Sequence, residues 1–284
     1  MRVLFLGTSA AEWYPAPWCN CEHCSEARRH GAEDLRALSS VAILPDVLID
    51  VPPDLPLSAS RFGFSLAGVR LILVTHPHGD HLDPRILVMR RPPSRVDSSP
   101  VGPRVTEVRE AVLCASKGTI EYIEESLPMP PSELRLRLVP LSPFEWREPL
   151  EGVRVLPLPA NHMRDAGHAF IYVVEREGKR MLYAVDTGPL SGEALEALCE
   201  IKLDLAVCEA TLGSLRPSQP LQHMSVSDVE SLRRELVSRG AVSEETPFVL
   251  THVSPHGLPP HHIAAEQLRE RGLILAHDGL VVEV

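Results

Sequence analysis

Apolar positions along this chain fall into short runs, and most of the runs end in glycine, proline, asparagine or aspartate. They lie at residues 2–6, 41–44, 47–50, 71–74, 111–114, 134–139, 153–158, 169–174, 181–185, 205–208 and 248–250. Their length, branched side chains and bounding turn residues predict buried strands. Between them, helices are predicted at 56–68, 82–91, 116–126, 191–200 and 227–239, the last carrying Val229, Leu232 and Leu236 on one face. Pro45-Asp46 and the turn at 175–179 each separate a pair of strand runs and predict antiparallel hairpins. A closing hairpin is expected around Asp278-Gly279, beside His277, and His261 and His262 are expected to be solvated in the first turn of a helix.

This alternation of strands and helices predicts an α/β chain. At 284 residues, 44% of them hydrophobic, it can bury a sizeable core. The apolar stretch at 3–6 is too short for a signal peptide and no run is long enough to span a bilayer, so a cytoplasmic protein with no membrane partner is expected. A formal charge of -10 argues against non-specific nucleic-acid binding, which depends on a net basic surface, but leaves room for small phosphorylated substrates. The 27 prolines cluster in loops, and the proline-rich insertion at 92–108 is flanked by or contains Arg91, Arg95, Arg104 and Arg109. Such guanidinium groups can grip a phosphate in bidentate fashion, although a solvated loop is the better account of them.

Candidate chemistry concentrates where the strand at 71–74 ends. His76, His78, Asp80 and His81 follow within a few residues, and Asp83-Pro84 is a good cap and first position for the next helix. A loop held between a buried strand and a capped helix can aim several side chains at one point. Imidazole and carboxylate together suit zinc, iron or manganese, and mixed nitrogen and oxygen sites are characteristic of catalytic metals. A second cluster, Cys19, Cys21 and Cys24, holds three of the six cysteines. In a reducing compartment a thiolate-bound structural zinc explains it better than disulfides, with His23 or a distant histidine, His252 or His256, as candidate fourth ligand.

The His-x-His-x-Asp-His spacing of residues 76–81 resembles the signature of the metallo-β-lactamase fold superfamily of hydrolases. The Cys-x-Cys-x-x-Cys run after the first strand narrows the resemblance to the branch holding a phosphoribosyl cyclic phosphate phosphodiesterase and the pyrroloquinoline quinone biosynthesis protein B. The resemblance implies a four-layered αβ/βα sandwich with mixed sheets, forming one domain over residues 1–284. It implies one ion on His76, His78 and His162, a second on Asp80, His81 and His252, and Asp186 bridging them; His168 is a weaker alternative ligand. It also implies a structural zinc on Cys19, Cys21, Cys24 and His256, although Pro255 lengthens the spacing to the last. His223, just before the helix at 227–239, matches a histidine that contacts the substrate phosphate, so His223 and Asp80 are the candidate catalytic residues. Asp50 and Glu209 stand at strand ends where they can orient ligands.

Two divalent cations (Zn, Mn or Fe) would supply a bridging hydroxide at neutral pH and stabilise charge on a phosphoryl or carbonyl oxygen. The function implied is a dinuclear metal-dependent phosphodiesterase for a small or cyclic phosphodiester, and a homodimer is compatible with it. The alternatives are an acyl hydrolase, lactonase or thioesterase, on the same metals, and a non-enzymatic carrier like the quinone-pathway protein. Asp186-Thr187-Gly188 also occurs in aspartic proteases, but those need a second such motif in an all-β setting.

Overall fold

The computed structural model describes residues 1–91, 108–162, 169–215 and 222–284. Almost all of the insertion at 92–108, including Arg95 and Arg104, and His168 lie outside the described residues. Two seven-stranded sheets form the centre. The first contains β1 (Arg2–Gly7), β2 (Ser40–Ile43), β3 (Val47–Ile49), β4 (Leu71–Leu73), β5 (Ala111–Ser116) and β6 (Leu136–Leu141) in that spatial order. The second runs β7 (Arg147–Leu150), β8 (Val153–Pro159), β9 (Phe170–Arg176), β10 (Lys179–Ala184), β11 (Leu205–Glu209), β12 (Phe248–Thr251) and β13 (Ile274–Leu275). The last strand, β14 (Val281–Glu283), returns to the first sheet and pairs antiparallel with β1. Residues 274–283 are therefore not the expected hairpin: β13 and β14 extend different sheets, and Asp278-Gly279 lies in the crossing between them.

Both sheets are mixed. Strands β3 to β6 are parallel to one another, as are β10 to β13, while β1–β2, β2–β3, β8–β9 and β9–β10 are antiparallel. The hairpins read at Pro45-Asp46 and at 175–179 are the β2–β3 and β9–β10 turns. Both faces of the central strands are covered, which is why they read as continuous apolar runs. Val3, Phe5, Ile49, Leu71 and Leu73 of the first sheet pack against Val155, Tyr172, Met181 and Val207 of the second. Outside the first sheet lie α2 (Leu55–Arg61), α3 (Pro84–Val88) and α4 (Lys117–Ser126), contributing Leu55, Leu87, Ile120 and Ile123. Outside the second lie α5 (Gly192–Cys199), α6 (Val226–Ser238) and α7 (His261–Arg269), contributing Leu198, Val229, Leu232, Leu236 and Leu268. Helix, sheet, sheet and helix make the four layers of the αβ/βα sandwich.

The helix caps are local to the sequence. Asp83 accepts from the Arg85 amide and Ser116 from the Thr119 amide, as their positions predict. Helix α6 starts one residue earlier than expected because Ser225 and Asp228 form a reciprocal capping box. An element without an apolar signal, α1 (Glu22–His30), begins inside the cysteine motif and buries only Cys24 and Ala27. Among the described residues no helix is long and apolar enough to cross a membrane.

Candidate metal centre

Each residue of the centre follows the end of a strand. His76, His78, Asp80 and His81 come from the loop after β4, and His162 follows β8. Asp186 follows β10 and His252 follows β12. The loops converge from both sheets and bring together two groups of potential ligands. One comprises His76, His78, His162 and Asp186, the other Asp80, His81, Asp186 and His252, with ligand atoms inside each group within 4.8 Å of one another. Asp186 belongs to both. Its Oδ2 lies 3.1 Å from His76 Nε2, 3.3 Å from His81 Nε2 and 3.5 Å from His162 Nε2. The geometry thus collects all seven residues singled out in the sequence.

Outer partners orient the rings. Thr75 Oγ1 donates to Asp50, whose Oδ2 lies 2.8 Å from His81 Nδ1, and the same hydroxyl is 3.0 Å from His76 Nδ1. Thr211 Oγ1 donates to the His252 carbonyl and lies 2.8 Å from His252 Nδ1. These partners accept an Nδ1 proton from each ring, which turns the Nε2 edges of His76, His81 and His252 inward. There they face other nitrogens: His76 Nε2 and His162 Nε2 are 2.9 and 3.2 Å from His78 Nδ1, and His81 Nε2 is 3.2 Å from His252 Nε2. Asp80 Oδ2 and Asp186 Oδ1 are buried with histidine nitrogens facing them: Asp80 Oδ2 is 3.3 Å from His81 Nε2 and 3.6 Å from His252 Nε2, and Asp186 Oδ1 is 3.1 Å from His223 Nδ1. Converging ring nitrogens and buried carboxylate oxygens fit cations, and nitrogen and oxygen donors fit borderline divalent ones.

The electrostatics agree. Burial, and then the charge of His81, push His76 down to about 3, so it is the neutral, ligating form. Burial also lowers His162. For His81, burial is outweighed by Asp50, Asp186 and Asp80, which raise it well above the ordinary value. Burial likewise opposes the ionisation of Asp186, but His252, His76 and His81 hold its carboxyl well below the carboxylate range. The carboxylates thus call for positive charge inside a pocket where His76 and His81 are at most 1% exposed.

Strain accompanies this arrangement. Asp50, Asp186 and His252 have φ of 65, 57 and 53°, in the left-handed region that non-glycine residues rarely occupy. Each lies just after a central strand, where the turn swings its side chain back towards the other loops.

His223 precedes α6, and its Nδ1 is 3.2 Å from both oxygens of Glu209 and 3.1 Å from Asp186 Oδ1. Glu209, fully buried, also accepts from the Thr187 and Met224 amides, which ties the ends of β10, β11 and α6 together. Burial alone would lower His223, but Glu209 and Asp186 raise it to about 9, so the imidazolium prevails at neutral pH. Both strand-end carboxylates, Asp50 and Glu209, therefore orient histidines.

The thiols of Cys19, Cys21 and Cys24 also gather within 4.8 Å. A Cys24 backbone amide lowers Cys21, whereas burial raises Cys24 to about 12. The structure does not bring His256 into this group: it is exposed, while His23 Nδ1 is engaged by the Pro255 carbonyl at 2.7 Å. His261 is not solvated as expected; it is buried, 3.0 Å from the buried Arg36 guanidinium. Sequence reading missed that cluster. Arg36 donates to Thr8 and the Ala276 carbonyl, and Asp278 takes the Thr8 hydroxyl and the Ala37 amide. Its members are scattered from residue 8 to 278, and no local motif in the sequence links them.

Residues 46–253 match the family described as the beta-lactamase superfamily domain. That span contains every member of the two ligand groups and of the His223–Glu209 pair, but not the clustered Cys19, Cys21 and Cys24. No curated protein matches the chain. Among solved structures, a diphosphatase from the PhnP family is similar with a TM-score of 0.74 and 26% identity, covering 100% of this chain and 98% of that one. Zn(2+)-bound PqqB from Methylobacterium extorquens has a TM-score of 0.72 at 18% identity with both chains fully covered. The short form of human tRNase Z has a TM-score of 0.62 at 18% identity, covering 100% and 99%. The latter two likenesses concern the fold.

Proposed function

The chain belongs to the beta-lactamase superfamily domain family, a metallo-β-lactamase-fold hydrolase, and from this we propose that it is a dinuclear metal-dependent phosphodiesterase acting on small phosphodiesters, cyclic ones included. The observation that supports this most is the sharing of Asp186: Oδ2 faces His76, His81 and His162 while Oδ1 faces His223. One carboxylate thus links both ligand groups to a proton-bearing imidazole. His76, His78 and His162 would hold one divalent cation, Asp80, His81 and His252 the other, with Asp186 between them. Two such cations supply a nucleophile from water at neutral pH and neutralise charge developing on a phosphoryl oxygen.

The remaining work falls to the protein. His223 binds a phosphoryl oxygen or protonates the leaving oxygen, a task for a charged imidazole fixed at one edge. Glu209 holds that edge. Asp50 and Thr75 keep His81 and His76 in the ligating tautomer, and the Cys19, Cys21 and Cys24 thiols would hold a structural zinc away from the reaction. The substrate is small and phosphorylated, and the free cysteines fit a reducing cytoplasm.

A second reading has its own support. The 26% identical PhnP-family structure is that of a diphosphatase, so a phosphoanhydride is the alternative phosphorus substrate. The deciding assay uses metal-quantified protein with Mn2+ or Zn2+ against bis(p-nitrophenyl) phosphate, a dinucleoside diphosphate, a p-nitrophenyl ester and a lactone. Diester cleavage lost in Asp186→Ala is the expected result. Anhydride cleavage alone supports the second reading. Ester or lactone cleavage alone makes the protein an acyl hydrolase, and no turnover with two ions bound points to a carrier role.

A further inference from the structure

A third gathering of ligating side chains lies outside the centre. His30 ends α1, Asp34 closes the short 3-10 turn that follows (Ala32–Asp34), and His262 is in the first turn of α7. We propose that these three residues form a separate binding site for a borderline divalent transition-metal cation such as Zn2+ or Ni2+.

Four contacts define the geometry. His30 Nδ1 and His262 Nδ1 lie 2.8 and 2.7 Å from one oxygen, Asp34 Oδ2, and the three ligand atoms fall within 4.8 Å of one another. The two rings are stacked, with centroids 4.1 Å apart and 22° between planes, so both present the same edge to the carboxylate. Asp34 is wholly buried at its side chain and is fixed further by the His262 amide on Oδ1. On the far edge of His262, Nε2 is 3.7 Å from Glu26 Oε1.

That last distance is longer than a hydrogen bond, and it places a second carboxylate on the far edge of the ring. An uncharged imidazole has one N–H, and His262 stands between two carboxylates. If the proton sits on Nε2 towards Glu26, Nδ1 presents a lone pair to Asp34 Oδ2, and a cation between them resolves the repulsion. Carboxylate, imidazole and metal in series is the usual way a ligating histidine is held. Two imidazoles and one carboxylate suit zinc, nickel or copper better than calcium or magnesium. His30 is 47% exposed at its side chain, so the cation would keep solvent-facing positions. A bound ion would also tie α7 to a segment 228 residues earlier, the one that carries the three clustered cysteines, and thereby stabilise the folded chain.

The test uses tag-free protein whose other metal sites are filled, titrated with buffered Zn2+ and, separately, Ni2+, with bound equivalents counted by elemental analysis and Tm followed. Wild type is expected to bind one equivalent more than His30→Ala or His262→Ala and to gain more Tm on addition of Zn2+. His262→Gln can still donate an amide N–H to Asp34 but offers no imidazole nitrogen. It is expected to match the wild-type Tm in chelator and to lack the extra ion. Equal equivalents in wild type and the alanine variants, or retention of the ion by His262→Gln, overturns the proposal.

Discussion

Asp186 and His223 carry the sharpest expectations at the scale of single residues. Asp186→Ala or His76→Ala removes a proposed ligand that its neighbours cannot replace, so turnover should vanish while the far-ultraviolet spectrum stays native; a fully active variant of either would sink the proposed dinuclear mechanism. His223→Ala, which leaves both ligand groups whole, should lower kcat by roughly 10²–10⁴-fold with bound metal unchanged. The pH dependence of stability has a separate source in Asp278. Burial raises its carboxyl from 3.8 to about 6, against the opposing hydrogen bonds of Ala37 and Thr8. The folded state therefore takes up this proton before the unfolded state does, so burying the charge costs stability above about pH 6 and the cost fades as pH falls towards 4. Relative to Asp278→Asn, wild type should gain about 1 kcal/mol between pH 7.5 and pH 5. Denaturant melts of both proteins check this, and a pH-independent difference refutes it. These residues were not equally legible. His76 to His81 stand together in the sequence, whereas Asp278, Thr8 and Arg36 meet only through the fold, and an isolated Thr or Arg carries no sign of its partners.

Elements explain why the residues of the candidate centre are where they are. Strands β4, β8, β10, β11 and β12 end at Leu73, Pro159, Ala184, Glu209 and Thr251, and the chemistry begins at or just after those ends. Their apolar character is readable because two covered faces demand unbroken branched residues. The polar face of β6 and the short, charged β7 carry no such demand, so β7 leaves no signal in the sequence, and α1 leaves none for the same reason. Two substitutions test this scale. Leu73→Ala, between the sheets, should cost about 2–5 kcal/mol in a urea melt, since a buried leucine leaves a cavity that rigid neighbours fill only partly. Ser225→Ala breaks the capping box of α6 and should cost about 1 kcal/mol. Because Met224 and His223 precede that cap and hang on Glu209, the same change should also lower kcat/KM several-fold without altering metal content. If activity is untouched, His223 is positioned independently of the helix.

For the molecule as a whole, the centre is where two separately packed sheets meet. The loop after β4 belongs to the first sheet, while His162, Asp186 and His252 follow strands of the second, so ions held there would join the layers. Chelation should then lower stability by about 3 kcal/mol for each ion that had been at a hundredfold excess over Kd, read as a fall in Tm that returns on adding metal back. Cys21→Ser should mainly reduce Tm and leave the rate per folded molecule near wild type. The order of strands and helices could be read from apolar periodicity, and the sandwich from the family resemblance that one histidine-rich loop carries. The exchange of the final segment from one sheet to the other could not, because a two-residue β13 and a three-residue β14 look like the arms of a hairpin. The left-handed backbone at Asp50, Asp186 and His252 carries a consequence for how this protein can evolve. Such conformations cost on the order of 1–3 kcal/mol each, and glycine would adopt them freely. Selection for heat resistance alone would therefore favour the very replacements that destroy the centre, and lineages released from the need for activity should drift towards sturdier, silent versions of this fold.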